Sequence, residues 1–241
     1  MLGLAAAPAQ AERVRPLGSR APLGDERLSN ERSLTRWAHP NGRDPILERP
    51  RRGSVVLGRL RVTTEDGLPD VALVLRSQRI GGAIWLKIRA PGGRSRPNGI
   101  VGWVARDALA GLRHVTTSLE VDRRALRATL RRRGRVVWSS PIGVGARGTP
   151  TPGGRFFIRE RLRPRAPGGI YGPVAFGTSA YARISDWPGG SVVGIHGTDQ
   201  PELIPGRPSH GCVRVPNAAV LKLSRLMGVG TPLRIFGASS G

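Results

Sequence analysis

Between residues 53 and 110 the apolar residues come in short runs: Val55-Val56-Leu57, Val71 to Leu75, Ile84 to Ile88, and Ile100 to Val104. Turn formers separate them at Asp66-Gly67, Gly81-Gly82 and Pro97-Asn98-Gly99. Runs this short, bounded by Gly, Pro, Asn and Asp, predict strands joined by tight turns. The rhythm resumes near His114: Leu119 to Asp122, Ala125 to Leu130 and Arg135 to Trp138 predict successive strands. Val192 to Ile195 predicts a strand that delivers His196, and Thr231 to Phe236 a closing strand. One helix is predicted over Ala218 to Met227: Val220, Leu223 and Met227 share a face, Asn217 stands at the cap and Gly228 at the stop. Two stretches lack the rhythm. Glu12 to Arg52, rich in Arg, Pro and Gly, predicts a largely irregular linker in which Trp37 docks on a neighbouring domain. Arg159 to Ser191 predicts a long irregular insert containing Tyr171, Phe176, Tyr181 and Trp187.

Composition sharpens this picture. A chain of 241 residues holds one large or two small domains, and 34 glycines with 21 prolines argue against a helix bundle. Lys+Arg 39 against Asp+Glu 16 gives a net charge of +23, nearly all of it arginine. Such a chain seeks polyanions: acidic wall polymers, anionic membrane surfaces or nucleic acid. The arginines are spread along the chain without a helix-turn-helix, zinc-finger or aromatic RNA-binding signature, so no specific nucleic acid is expected. Met1 to Ala11, ending Ala9-Gln10-Ala11, has the small-x-small form of a signal-peptidase site and reads as a signal-peptide remnant, which implies export. No later segment has the ~18 consecutive apolar residues of a membrane helix.

The single cysteine excludes an internal disulfide and concentrates the chemistry at Cys212. A thiol becomes a nucleophile when a neighbouring imidazole or positive field activates it. His196 and His210 compete for the role of base; His196 lies 212 − 196 = 16 residues upstream, a separation that suits two strands joined by a loop. Gly197 and Gly211 let backbone come close to a substrate. The same trio could ligate zinc, but no second Cys and no His-x3-His pair supports it.

His196-Gly-Thr followed by Ser209-His210-Gly211-Cys212-Val213-Arg214 resembles the catalytic motif of the L,D-transpeptidase (YkuD-type) family. The upstream stretch Gly148-Thr149-Pro150-Thr151-Pro152-Gly153-Gly154-Arg155-Phe156 resembles the same family independently, and the likeness spans residues 114 to 236. It implies a Cys212 thioester with a peptidoglycan stem peptide, resolved by an amine acceptor, with His196 as base and the Gly197 carbonyl orienting its other nitrogen. It further implies that Ser209, His210 and the N–H groups of Gly211 and Cys212 shape the oxyanion site, that Arg214 grips a substrate carboxylate, that 159–191 forms a lid, and that neither metal nor cofactor is required. Pro97 to Val104 with Asp107-Ala108-Leu109 resembles the end of a bacterial SH3-like domain. The expected fold is therefore mainly β: a small SH3-like barrel at 53–110, then a YkuD-type β-sandwich at 114–237 with few short helices, preceded by the remnant at 1–11 and the linker at 12–52. The expected setting is the cell wall. The rival readings are an L,D-carboxypeptidase or other hydrolase using the same Cys–His site, and a non-catalytic wall-binding protein.

Overall fold

The computed structural model describes residues 24–182 and 191–237. The signal-peptide reading of 1–11 and the expected aromatic Trp187 lie outside the described residues. Two antiparallel-rich sheets carry the fold. The first contains β1 (Glu26–Arg27), β2 (Thr35–Ala38), β3 (Pro45–Leu47), β4 (Val56–Arg59), β5 (Ala72–Ile80), β6 (Ala83–Ala90), β7 (Ile100–Ala105) and β8 (Arg113–Val115). They lie in the order β4-β3-β7-β6-β5-β2-β8, with β1 also paired to β5. The Gly81-Gly82 turn closes the β5–β6 hairpin with both glycines at positive φ, as a tight two-residue connection requires.

The second sheet begins with β9 (Thr117–Asp122), β10 (Arg127–Arg132), β11 (Arg135–Pro141), β12 (Gly143–Gly145) and β13 (Gly154–Leu162). It continues through β14 (Ala175–Tyr181), β15 (Val192–His196), β16 (Gly206–Ser209), β17 (Val213–Arg214) and β18 (Pro232–Phe236), with α1 (Asn217–Leu226) between the last two strands. The strand order is β11-β10-β9-β18-β13-β14-β15-β17-β12-β16. Leu119, Val121, Leu130, Phe156, Ile158, Phe176, Ile195 and the α1 residues Val220 and Leu223 form its main core. Each fully buried apolar side chain of this kind contributes roughly 1.5–3 kcal/mol.

Three expectations need correction. Residues 26–47, read as irregular linker, supply β1, β2 and β3 to the first sheet, and β8 at 113–115 pairs with β2. The N-terminal unit is therefore larger than the 53–110 barrel expected, and the passage to the second sheet falls between β8 and β9. The stretch 159–191, read as irregular insert and lid, begins with the end of β13 and contains β14, every residue of which is buried. Within it only the connection 163–174 lies between those strands. Asn217 is the first residue of α1 and not its cap; Pro216 holds the cap position, and the helix ends at Leu226.

The two units are bolted together. Trp37 of β2 packs in one apolar cluster with Val71, Leu73, Val115 and, from the second sheet, Phe157, with Val229 against it. Beside this lies an ionic knot. Arg159 of β13, whose side chain is fully buried, donates to both Asp70 oxygens at 2.9 and 2.6 Å and to Glu65 at 2.9 Å. Tyr181 of β14 donates to Glu65 at 2.6 Å, and Arg61 reaches Glu65 at 2.8 Å. Alternation along β13 makes this possible: Phe157 and Arg159 face the N-terminal unit while Phe156 and Ile158 face the main core.

Candidate active site

The second sheet opens into a cleft of about 140 Å³ whose lining includes Cys212, His196, His210, Arg214 and Tyr171. β15 ends at His196, and β17 runs parallel to it so that Ile195 pairs with Val213 and His196 with Arg214. The loop joining the two strands thus returns Cys212 to the end of the strand that carries His196. Gly194 sits between them. Its N–H donates to the Cys212 Sγ at 3.3 Å, and a Cβ built on it would lie 3.5 Å from the His196 ring and 3.7 Å from Sγ. The imidazole and the thiol therefore share one small region of the cleft wall, without a direct hydrogen bond between them.

His196 is 5% exposed, and its Nδ1 lies 2.7 Å from the Gly197 carbonyl. A carbonyl only accepts, so Nδ1 carries the proton and Nε2 keeps its lone pair. Tyr171 stacks edge-on against the ring at 5.1 Å. Burial lowers the pKa of His196 to about 4; the Gly197 hydrogen bond opposes this and the Arg214 charge adds to it. Burial pushes the Cys212 thiol upward, against the pull of the Gly194 N–H and Arg214. Both shifts favour the neutral forms, imidazole and thiol.

Ser209 is buried and fully engaged: its Oγ donates to the Cys212 carbonyl at 2.6 Å and accepts from the Gly211 N–H at 3.2 Å. Both residues were expected to help shape an oxyanion site. In this geometry they brace the loop from within, and Gly211 takes a φ of +120°, which a side chain would resist. Ala146 and the 148–154 loop after it buttress the same point, since the Ala146 N–H and the Thr149 hydroxyl both donate to the Ser209 carbonyl, at 2.8 and 3.2 Å. His210 is exposed and borders the cleft. Arg214 donates from Nη1 to Gln200 at 2.8 Å, and its buried Nε has no hydrogen-bond partner among the described residues. Gly197 packs against Gly172 and Asn217, where a Cβ would collide.

Asn217 was read as a helix cap and proves to be a clamp on the turn after His196. Its Oδ1 accepts from the Thr198 N–H and its Nδ2 donates to the Thr198 carbonyl, both at 2.9 Å. Tyr171 was read only as one of the aromatics of the 159–191 insert, because nothing in its spacing ties it to His196. Among the described residues no group of three or more His, Cys, Asp and Glu is arranged to hold a metal ion.

The family model for the L,D-transpeptidase catalytic domain, YkuD, matches residues 116–235. The chain carries a YkuD-type L,D-transpeptidase catalytic domain. Relatives named L,D-transpeptidase YkuD in Bacillus subtilis and Bacillus licheniformis are each 36% identical, over 107 and 118 residues respectively. These alignments cover 44% and 49% of this chain, and the chain spans 58% and 63% of the relatives' length. The Enterococcus faecium L,D-transpeptidase crystal structure is 28% identical over 50% of this chain and 49% of that one, with a TM-score of 0.38. The YkuD match begins at residue 116, one residue before β9, and so leaves the N-terminal sheet unassigned.

Proposed function

We propose that this protein is a peptidoglycan L,D-transpeptidase acting outside the cytoplasm. The observation that supports it best is the meeting of Cys212 and His196 around Gly194 on an open cleft. In the reaction, Cys212 Sγ attacks the carbonyl of a stem peptide while His196 Nε2 takes the thiol proton. The tetrahedral intermediate collapses to a thioester, and the departing amine receives that proton from His196. The amine of a second stem then attacks the thioester, which releases the thiol and forms the new amide. Arg214, held beside His196, binds a carboxylate of the donor through its unpartnered Nε. The net charge of +23 favours association with acidic wall polymers.

The test is intact-mass spectrometry of the full chain with a carbapenem and with a tetrapeptide stem. One acyl adduct per protein is expected, absent in Cys212→Ala. Adding an amine acceptor should yield cross-linked product; release of free acid alone would make the enzyme a hydrolase, and no adduct under any condition would overturn the assignment.

A further inference from the structure

The cleft has a second chemical end that the reaction above does not use. Glu160, on β13, lines it and is 2% exposed, yet among the described residues neither carboxyl oxygen has a hydrogen-bond partner. The Thr64 hydroxyl lies near enough to favour its charged form, but without the geometry of a formed hydrogen bond. The other close group is a second acid, Asp66, exposed on the cleft rim. Two carboxyl groups can hydrogen-bond each other only while one holds a proton. Arg159, next in sequence, is no partner: it faces away and is consumed by Asp70, Glu65 and Tyr181. Within that knot Arg61 and Arg159 pair directly with Glu65 and Asp70; Glu160 and Asp66 feel the Arg159 charge, but neither has an ion-pair partner among the described residues. Burial, followed by the charge of Asp66, pushes Glu160 up to about 7.

Asp66 comes from the N-terminal unit. It stands at the tip of a tight hairpin whose stem is closed by the Thr63–Pro69 bridge and by hydrogen bonds from Thr64 to Leu68 and from Asp70 to Val62. The ionic knot fixes this hairpin on β13 and β14 and so holds Asp66 at the cleft.

The sheet register relates the acid pair to the thiol. Glu160 pairs with Gly177, Gly177 pairs with Gly194, and the Gly194 N–H touches Cys212 Sγ. Neighbouring strands lie about 4.8 Å apart, so two spacings separate the acid-bearing backbone from the reactive corner by roughly 10 Å. Both intervening positions are glycine. A Cβ on Gly177 would run into Glu160 Oε1, so the missing side chain is what lets the carboxyl lie over the cleft floor.

We propose that Glu160 and Asp66 form a subsite for an ammonium group carried on a side chain of the acyl-donor peptide, so that the N-terminal unit completes the substrate site. The ammonium would supply the missing donors to Glu160 and offset its charge, which a buried carboxylate needs. The roughly 10 Å separation assigns the subsite to a side chain of the donor and not to the acceptor amine, which must reach the thioester itself. This proposal rests on the peptide-acylation reading above.

The experiment uses the full chain and two tetrapeptides that differ only in a lysine Nζ, free or acetylated. Calorimetric binding to Cys212→Ala, which cannot turn over, should favour the free amine by about tenfold or more. Acyl-enzyme formation by the unaltered protein should show the same preference. Adding Glu160→Gln should bring both ratios near one, and Asp66→Asn should lower them partway. Equal binding of the two peptides to Cys212→Ala overturns the subsite. A preference confined to the amine-consuming second step overturns its assignment to the donor. A binding preference without any acyl-enzyme keeps the subsite and sinks the transpeptidase reading, so the two failures are distinguishable. Because the peptide comparison needs no change at Glu160, a poorly folding Gln variant does not shield the proposal.

Discussion

Replacing Arg159 with methionine tests whether charge holds the two units together. The guanidinium is wholly buried and makes four contacts: two with Asp70, one with Glu65 at 2.9 Å and one with the Tyr181 hydroxyl at 3.1 Å. Burial alone would lower its pKa, but Asp70, Tyr181 and Glu65 outweigh that and hold it above the ordinary arginine value. Methionine preserves much of the aliphatic stem and removes the charge. Asp70, 1% exposed, is then left with the Val71 N–H at 2.8 Å and a distant Arg61 at 3.9 Å. Breaking a buried pair from one side costs ~3–5 kcal/mol. At ~2–4 °C of Tm per kcal/mol for a chain of this size, the expected fall is ~6–20 °C. Arg159→Met with Asp70→Leu removes both charges and should recover most of the loss, because an apolar replacement of a whole buried pair is often neutral. Thermal unfolding of the parent, both single variants and the double variant near neutral pH completes the cycle. A loss below ~1 kcal/mol for Arg159→Met, or a double variant no better than the single, would refute the reasoning.

Three further outcomes are expected. Glu160 has a folded pKa raised from 4.5 to about 7, so its contribution is present below about 4.5 and is lost as pH rises through about 7, by ~3 kcal/mol; in denaturant titrations the stability of the parent relative to Glu160→Gln should fall by about that much between about pH 5 and about pH 8. Asn217→Ala removes both hydrogen bonds to Thr198 and should cost ~1–3 kcal/mol in stability and reduce kcat with little change in KM, checked by denaturation and steady-state kinetics. Because burial raises the Cys212 thiol, its alkylation by iodoacetamide should climb through the alkaline range; a plateau near neutrality would mean a standing thiolate–imidazolium pair.

The residues most legible in the sequence were those with rare chemistry at fixed spacing. Cys212, His196 and the flanking glycines announce a reactive loop, and strands such as β6 and β7 are bounded by unmistakable turn formers. The strands at 26–47 were not legible because they are only two to four residues long and gain their order from β5, β7 and β8. Trp37 alone signalled a docking site, through its size. β14 escaped because both of its faces are covered: Ala175 to Tyr181 reads as a mixture of small, aromatic and hydroxyl residues with no period of two. Arg159 and Glu160 look like ordinary surface charge. What buries them is a hairpin from elsewhere in the chain; Asp70 lies 89 residues before Arg159.

Burial favours the neutral form at both ends of the cleft and so moves the two pKa values in opposite directions. His196, with a folded pKa near 4, contributes stability that is present above about 6.5 and is lost as pH falls through about 4. Glu160 loses its contribution in the other direction. Between about pH 4.5 and about 6.5 the two slopes oppose, which flattens the stability of the parent; in Glu160→Gln only the His196 slope remains, and stability should rise with pH across that window. The same burial bears on the proposed chemistry. A base that stays neutral down to about pH 4, beside a thiol held above its ordinary value, does not ionise before substrate arrives. In the proposed reaction the proton would therefore move as sulfur attacks, and the rate would depend on how well the donor carbonyl is presented to Sγ. On that reasoning an anchor some two strands away, set by a hairpin of the other unit, governs turnover through position and not through acidity, since a shift of about 1 Å at the reacting carbonyl is enough to cost about a hundredfold.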